Sequence, residues 1–393
     1  MKRLIFILAF TTLSFLNAFP QEDPFRITHG PYLQDMCEDG VTIMWTTNKN
    51  GIAWVELAPN DSSHFYLTER PKYFSAPHGF KKVSAVHAVR LVNLKPGTTY
   101  RYRIYSQEVL SHSGTLVNYG RVAASSVYRT RPLTFTTNSR VKEDVSFLIL
   151  NDIHGNNELM TNLLKNTSLS KTDLVFFNGD MVSDIISEDQ LFAGFADTSV
   201  KLFAREIPVY YARGNHETRG NFAYRFADYF PGINGKLYGL FRQGPVCFVV
   251  LDCGEDKPDS DIEYSGIVAF DAYRTQQAEW LKEALQTALF REAPYKVVVV
   301  HMPPFGGWHG EKEIEQKFLP LLNNAGVDVM FCGHLHRYIK KEAKGEQGFP
   351  VIVNANNSVV KATAGEEELD IQIVSDQGRL IDSLSIPRKK QGR

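Results

Sequence analysis

The chain has 393 residues, more than one ordinary domain holds, so two packed units with sizeable cores are expected. Hydrophobic residues make up 43% and charged residues 22%, which excludes a disordered or low-complexity chain. A formal net charge of −1 offers nucleic acid or an anionic membrane no electrostatic hold, so neither is an expected partner.

The chain opens with Met1-Lys2-Arg3, an apolar stretch from Leu4 to Leu16, then Asn17-Ala18. A short basic start, an apolar run and a small residue at its end predict a secretory signal peptide over residues 1–18. The run falls short of the about 20 residues a spanning helix needs, so no membrane span is expected. The structural alternative is a buried N-terminal helix. Export to a secreted or periplasmic location follows from the first reading. Of the cysteines, Cys247 and Cys253 share one strand-like run, about 20 Å apart if extended, and cannot pair there. No C-x-x-C clip is present, so this is not a disulfide scaffold, although one bridge remains open.

Residues 25–138 read as an all-β sandwich. Asp39-Gly40 signals a turn, and Val41, Ile43 and Trp45 then share one face by period 2. Pro96-Gly97 leads into a strand in which Tyr100, Tyr102 and Ile104 alternate with Arg101 and Arg103. That stretch resembles the tyrosine-corner strand of fibronectin type III domains, with Tyr100 as the corner residue. Pro132–Thr136 reads as a closing strand. His29, His64, His78, His87 and His112 show no ligand spacing and are read as structural or surface residues.

Asn138–Asp144 is polar and reads as the junction. Residues 145–386 then alternate strands and helices, the pattern of an α/β layered domain with mixed sheets flanked by helices. Strands are predicted at Val145–Leu150, Asp173–Phe177, Pro208–Ala212, Cys247–Leu251, Tyr295–Val300 and Val327–Phe331. Helices are predicted at Asn157–Lys165, Glu188–Ala204, Asn221–Phe230, Thr275–Phe290 and Glu311–Asn324. The tail from Phe349 to Ile386 reads as short antiparallel strands.

The chemistry-bearing residues collect where these strands end. After Leu150 the histidines are His154, His216, His301, His309, His334 and His336. All but His309 follow an apolar run directly, and His309 lies on the same loop as His301. Five loops carry polar clusters in order: Asp152-Ile153-His154-Gly155, Gly179-Asp180, Gly214-Asn215-His216-Glu217, His301, and Gly333-His334-Leu335-His336. In open α/β sheets ligands bind outside the carboxyl ends of the strands, where such loops converge. Imidazole and carboxylate together suit Zn, Fe or Mn.

With these five loops in this order, residues 145–386 resemble the calcineurin-like metallophosphoesterases. The two-part layout is similar to the purple acid phosphatases, with their fibronectin-like N-terminal sandwich. The resemblance implies a two-metal site: Asp152, His154, Asp180 and His336 on one ion, Asn215, His301 and His334 on the other, and Asp180 between them. It implies hydrolysis of phosphate monoesters on a small phosphorylated substrate. Two metals about 3.5–4 Å apart would activate a water for attack and clamp the attacking and leaving oxygens. A phosphodiesterase or nucleotidase on the same site, and a non-catalytic adhesion protein, are the rival readings. His216, one residue beyond a ligand, would stabilise the transition state or protonate the leaving oxygen. His309 would contact the leaving group or a phosphoryl oxygen from a constrained Met302–Gly310 loop, the alternative being a solvent-exposed loop histidine. Arg213 and Arg219 flank the Gly-Asn-His-Glu loop and read either as phosphate contacts or as solvated arginines.

The chain departs from purple acid phosphatases at one point. Where they carry a tyrosine three residues after the motif aspartate it has Ser183, and His154 is present instead. Glu217 and Asp184 read as hydrogen-bonding support for the ligands. The acidic Glu255–Asp261 loop reads as solvated surface or pocket rim, and Tyr264 and Trp308 as rim aromatics. Substrate, metal identities and oligomeric state are not encoded in any pattern of this kind.

Overall fold

The structure is a computed structural model describing residues 23–126, 130–345 and 347–389. The expected signal peptide lies outside the described residues. No helix among the described residues is long and apolar enough to cross a membrane.

The strands of the described residues assemble into two sheets packed face to face, with helices on both outer faces. In the first, Leu380–Pro387, Glu368–Ser375 and Ser358–Ala364 lead to Val145–Leu150, Leu174–Phe177 and Val209–Tyr211. The second runs Gly239–Gln243, Val246–Val250, Tyr295–Val299, Val329–Cys332, Val351–Val353, Ile339–Lys341. Alternation assigns each residue its layer. Val145, Phe147 and Ile149 point between the sheets at Phe248, Val297 and Phe331, while Leu148 and Leu150 meet Met160 and Leu163 of the helix Asn157–Lys165. Val246, Phe248 and Val250 likewise face inward, while Cys247, Val249 and Leu251 pack on Leu281 and Ile314. Both faces of these strands are buried, which is why they read as unbroken apolar runs.

The strand-rich N-terminal region continues the first sheet. Val41–Pro59 pairs over its first half with Ile27–Gln34 and Ser84–Leu91, then over its second half with Lys72–Phe74 and Thr99–Ser113. The change of partners falls at Asn48–Asn50, between the paired Thr46 and Gly51. Ile27–Gln34 in turn pairs in parallel with Val209–Tyr211 through Gln34 and Val209. Side chains seal this seam: Tyr32 Oη donates to the Tyr229 carbonyl at 2.8 Å, and Tyr102 Oη to the Arg205 carbonyl at 2.6 Å. The two regions therefore share one core.

Among the elements that differ from expectation, three shape the surroundings of the strand ends. The helix predicted at Thr275–Phe290 runs Phe270–Ala284, followed by a short turn at Ala288–Arg291. Asp259 accounts for the early start, because its carboxylate accepts the N–H groups of Phe270 (2.7 Å) and Asp271 (3.1 Å). The second helix expected from Glu311 begins at His309, where the Glu311 side chain accepts the Trp308 N–H at 2.9 Å. The tail divides between the sheets: Ser358–Ala364 pairs antiparallel with Val145–Leu150, whereas Val351–Val353 runs parallel to Val329–Cys332. All four cysteines are free thiols, so the open disulfide is not formed.

Candidate metal centre

Parallel registers bring the loops together. Leu150 is paired with Phe177, and Phe177 with Tyr211; in the other sheet Val299 is paired with Phe331. The strands therefore end level, and residues one to four positions further on emerge along one edge of the sandwich. The ligand atoms of Asp152, His154, Asp180 and His336 lie within 4.8 Å of one another, as do those of Asp180, His301 and His334. Asp180 belongs to both groups.

Each ligand atom is aimed by a partner on its far side. Asp152 Oδ2 accepts the His334 N–H (3.0 Å) and the Asn151 amide (2.6 Å), which leaves Oδ1 facing the group. His301 Nδ1–H donates to the Asn178 carbonyl at 2.7 Å and turns Nε2 toward Asp180 Oδ2 at 3.0 Å. Asn215 donates its amide to Asp256 at 3.2 Å, so its carbonyl oxygen faces inward, 3.1 Å from His334 Nδ1. His154 and His336 meet Nε2 to Nε2 at 3.2 Å. Asp152 Oδ1 and His301 Nε2 are buried, 3.9 Å apart, without an aligned hydrogen-bond partner. Native folds rarely strand such atoms, and cations held beside them would satisfy both.

The backbone is shaped to the same end. Asp152, His154, Asp180, His334 and His336 all have φ between 48° and 71°, the left-handed region that non-glycine residues seldom occupy. Strain of this kind persists only where its surroundings over-determine it, and it collects at functional loops. Two motif glycines are required by space. A Cβ on Gly214 would stand 2.2 Å from Asp180 Oδ1, and one on Gly333 would stand 2.6 Å from Asp152 Oδ2. Fully buried Glu217 ties the loops to one another. Its carboxylate accepts the N–H groups of Asp180 (2.9 Å), Met181 (2.7 Å) and Gly214 (2.9 Å), and the Tyr211 hydroxyl (2.8 Å).

Electrostatics favour positive charge at the same spot. Burial works against a charged His301, but the Asp180 and Asp152 carboxylates outweigh it and raise the imidazole to about 10. Asp180 is correspondingly held below the usual carboxylate range, because His301 overcomes the opposing effect of burial. His334, buried and facing His301, is pushed down to about 4, so its ring is neutral and able to act as a ligand. The enclosed side of the centre is His301 and His334; His154, His216 and His336 open it to solvent, with the His336 side chain 46% exposed.

The remaining sequence candidates fall around this centre. His216 packs edge-on to His154 at 4.7 Å between centroids, its Nδ1–H donating to the Ser183 carbonyl at 2.6 Å. Its Nε2 therefore carries the lone pair and accepts from Arg219 Nη1 at 3.2 Å. Both arginines are paired with carboxylates: Arg213 with Asp252 at 2.8 Å, Arg219 with Glu255 at 2.9 Å and Asp256 at 3.2 Å. His309 joins a different cluster, its Nε2 on Asp271 Oδ1 at 2.8 Å beside Glu313. The helix start at His309 replaces the expected loop and commits that ring to Asp271.

Several further carboxylates support the site. Glu255 and Asp256 are buried, not solvated as an acidic loop would be, because they partner Arg219 and Asn215. Asp252 follows the strand Val246–Val250, so the strand-end rule that found the other loops applied to it as well. Glu311 is fully buried, with Oε1 3.7 Å from His334 Nε2. Nothing local in the sequence marks it.

Comparison with known proteins agrees with this geometry. Residues 145–338 match the family model described as Calcineurin-like phosphoesterase. The chain is 22% identical over 351 residues to "Purple acid phosphatase 15" of Arabidopsis thaliana, covering 78% of this chain and 59% of that relative. It thus spans about three fifths of that relative's length. Among solved structures it superposes on a purple acid phosphatase, PPD1, from yellow lupin (Lupinus luteus) seeds with a TM-score of 0.64. That match has 16% identity and covers 91% of this chain and 74% of the lupin protein. A structure titled "Structure of PhoD" gives 0.59 at 13% identity, covering 91% and 92%.

Proposed function

Residues 145–338 are a calcineurin-like phosphoesterase domain in a chain laid out like the purple acid phosphatases, and on that premise we propose that this protein is a metal-dependent phosphomonoesterase. One observation carries the reading: two groups of ligand atoms, drawn from four strand-end loops, share Asp180. We assign Asp152, His154, Asp180 and His336 to one ion and Asp180, Asn215, His301 and His334 to the other. The donor set of carboxylate, imidazole and amide oxygen suits Fe, Zn or Mn. Such a pair of ions supplies an acidified water and compensation for charge on the phosphoryl oxygens.

The reaction joins a water oxygen to phosphorus, breaks the ester P–O bond and releases the alcohol with a proton. The chain's own part is positional. His216 Nε2 and Arg219 Nη1 stand side by side at the open edge, where a phosphoryl or leaving oxygen would meet them. Arg219 offers an N–H to that oxygen from a side chain held by Glu255, and His216 hands it a proton only when Nε2 has taken one up in place of the Arg219 contact. We place the proton-handling role on His216 and not on His309, whose ring is engaged by Asp271.

Residues 25–138 are inferred to be a fibronectin type III-like accessory sandwich, with residues 145–386 as the phosphoesterase unit. Two features support this. Tyr100 Oη accepts the Lys95 N–H at 2.9 Å, as a tyrosine corner does, and Val41–Pro59 serves one sheet partner set and then the other. Export is inferred from the basic and apolar start of the chain.

The deciding experiment is metal analysis together with hydrolysis of p-nitrophenyl phosphate and its bis-ester. Metal-dependent turnover that favours the monoester is expected. Preference for the bis-ester would make the protein a phosphodiesterase. A metal-loaded protein that cleaves neither would leave the adhesion reading.

A further inference from the structure

A cavity of about 600 Å³ adjoins the open edge of the metal centre. Arg219 is the shared wall: it lines the cavity, and its Nη1 meets His216 Nε2 at 3.2 Å. An ester whose phosphate sat against His216 would therefore direct its alcohol portion past Arg219 into this space.

The lining chemistry specifies what that portion is. Arg213 and Arg219 are the cations of the wall, and both are neutralised, by Asp252 and by Glu255 with Asp256. Glu263, the carboxylate of the wall, is held by Lys257 at 2.6 Å. A second phosphate or another anion would find no uncommitted charge there. The hydroxyls of Tyr264 and Tyr273 are likewise turned away from the cavity, donating to the buried carboxylates of Glu255 and Asp252. What they offer a ligand is ring surface, as does Phe270, whose face is already stacked near Arg213. At the mouth stand Tyr224 and Ile267, 83% and 88% exposed. Large apolar side chains gathered that openly around a concave, mostly apolar space are the usual mark of a ligand site.

We propose that this cavity is the leaving-group subsite of the enzyme, selecting phosphate monoesters of uncharged aromatic alcohols over polyanionic or small polar ones. The assignment rests on the phosphomonoesterase reading above.

The test compares 1-naphthyl phosphate with phenyl phosphate, whose leaving groups are of similar acidity but differ by one fused ring. The metal-loaded full chain should show a kcat/KM ratio of about tenfold or more in favour of the naphthyl ester, the discrimination an added apolar segment typically brings in such a pocket. In Ile267→Asp and Tyr224→Ala the ratio should fall toward one. Both positions are exposed, so the fold should tolerate the changes, and a ratio measured within one preparation is insensitive to any loss of active protein. Equal rates for the two esters in the unmodified protein, or a preference that both variants keep, would overturn the subsite. Binding of naphthylphosphonate and methylphosphonate is measured by calorimetry in the same preparations. If no ester is hydrolysed the phosphomonoesterase reading fails, while tighter binding of the naphthyl compound still sustains the cavity's selectivity and equal binding removes it.

Discussion

The carboxylate of Glu311 and the imidazole of His334 face each other in the interior, Oε1 to Nε2 at 3.7 Å, with no other hydrogen-bond partner for that oxygen. Its other oxygen is anchored by the Trp308 N–H. A carboxylate behind a metal-binding imidazole fixes the tautomer and raises ligand basicity, and its loss typically costs 10–100-fold in metal affinity. Glu311→Gln should therefore weaken one of two metal equivalents by about 10–100-fold and leave the other near its original affinity. Calorimetric titration reads this directly; two unchanged equivalents would detach Glu311 from the centre.

Asp180 is the residue common to both ligand groups. Replacing it with asparagine removes the negative charge that would lie between two cations, so Asp180→Asn should lose bound metal and phosphatase activity together. Full metal content with retained turnover in that variant would contradict the shared-ligand assignment.

Glu217 accepts three backbone N–H groups and the Tyr211 hydroxyl while fully buried. Glu217→Ala would strand all of those donors, at a cost of about 3 kcal/mol or more. Urea unfolding should show a lower midpoint at unchanged slope. A midpoint within error of the unmodified protein would mean that water replaces the carboxylate freely.

Ser183 occupies the place where purple acid phosphatases carry tyrosine, and its hydroxyl lies 3.4 Å from His154 Nδ1. The buried Tyr211 hydroxyl is engaged by Glu217. With no phenolate directed at the centre from either position, the iron-loaded protein should lack a strong visible charge-transfer band. A purple preparation would require another tyrosine to reach the metal.

His87 lies in the N-terminal region, almost fully buried, with Nε2 2.9 Å from Thr47 Oγ1. Burial, with a smaller push from Lys82, lowers it from 6.5 to about 4. The fold binds the neutral ring, so the unfolded chain takes up a proton first as the pH falls. Stability from this group is complete above 6.5 and is lost on acidification toward 4. At pH 4.5 the loss should be about 2.5 kcal/mol relative to neutral pH. The measurement is the difference in unfolding free energy between pH 7 and pH 4.5, taken for the unmodified protein and for His87→Gln. A difference as large in the variant would assign the acid sensitivity elsewhere.

Much of the centre was legible without a fold. Strand-end placement marked the five loops that carry Asp152, His154, Asp180, Asn215, His301, His334 and His336, because parallel strands of a buried sheet are short, apolar and end in glycine or polar residues; the family resemblance then implied these seven as the ligands. The same feature made the strands themselves visible, and Val145–Leu150 was read to the residue. Such signals are local, carried by a few consecutive side chains, and a linear reading recovers them.

What remained hidden was whatever depends on partners distant in sequence. The cap on Phe270 comes from Asp259, the ring of His309 is committed to Asp271, and the guanidinium of Arg219 is divided among His216, Glu255 and Asp256. Glu255, Asp256 and Glu311 look like surface acids in a sequence because an isolated carboxylate belongs in water. In the folded chain each is buried: Glu255 against Arg219, Asp256 against Arg219 and Asn215, and Glu311 behind His334. Residue type and spacing thus determined which loops could hold metal. Tertiary packing alone decided which of the neighbouring charges are neutralised, because burial makes a charge conditional on its partner, and the partner is chosen by the fold.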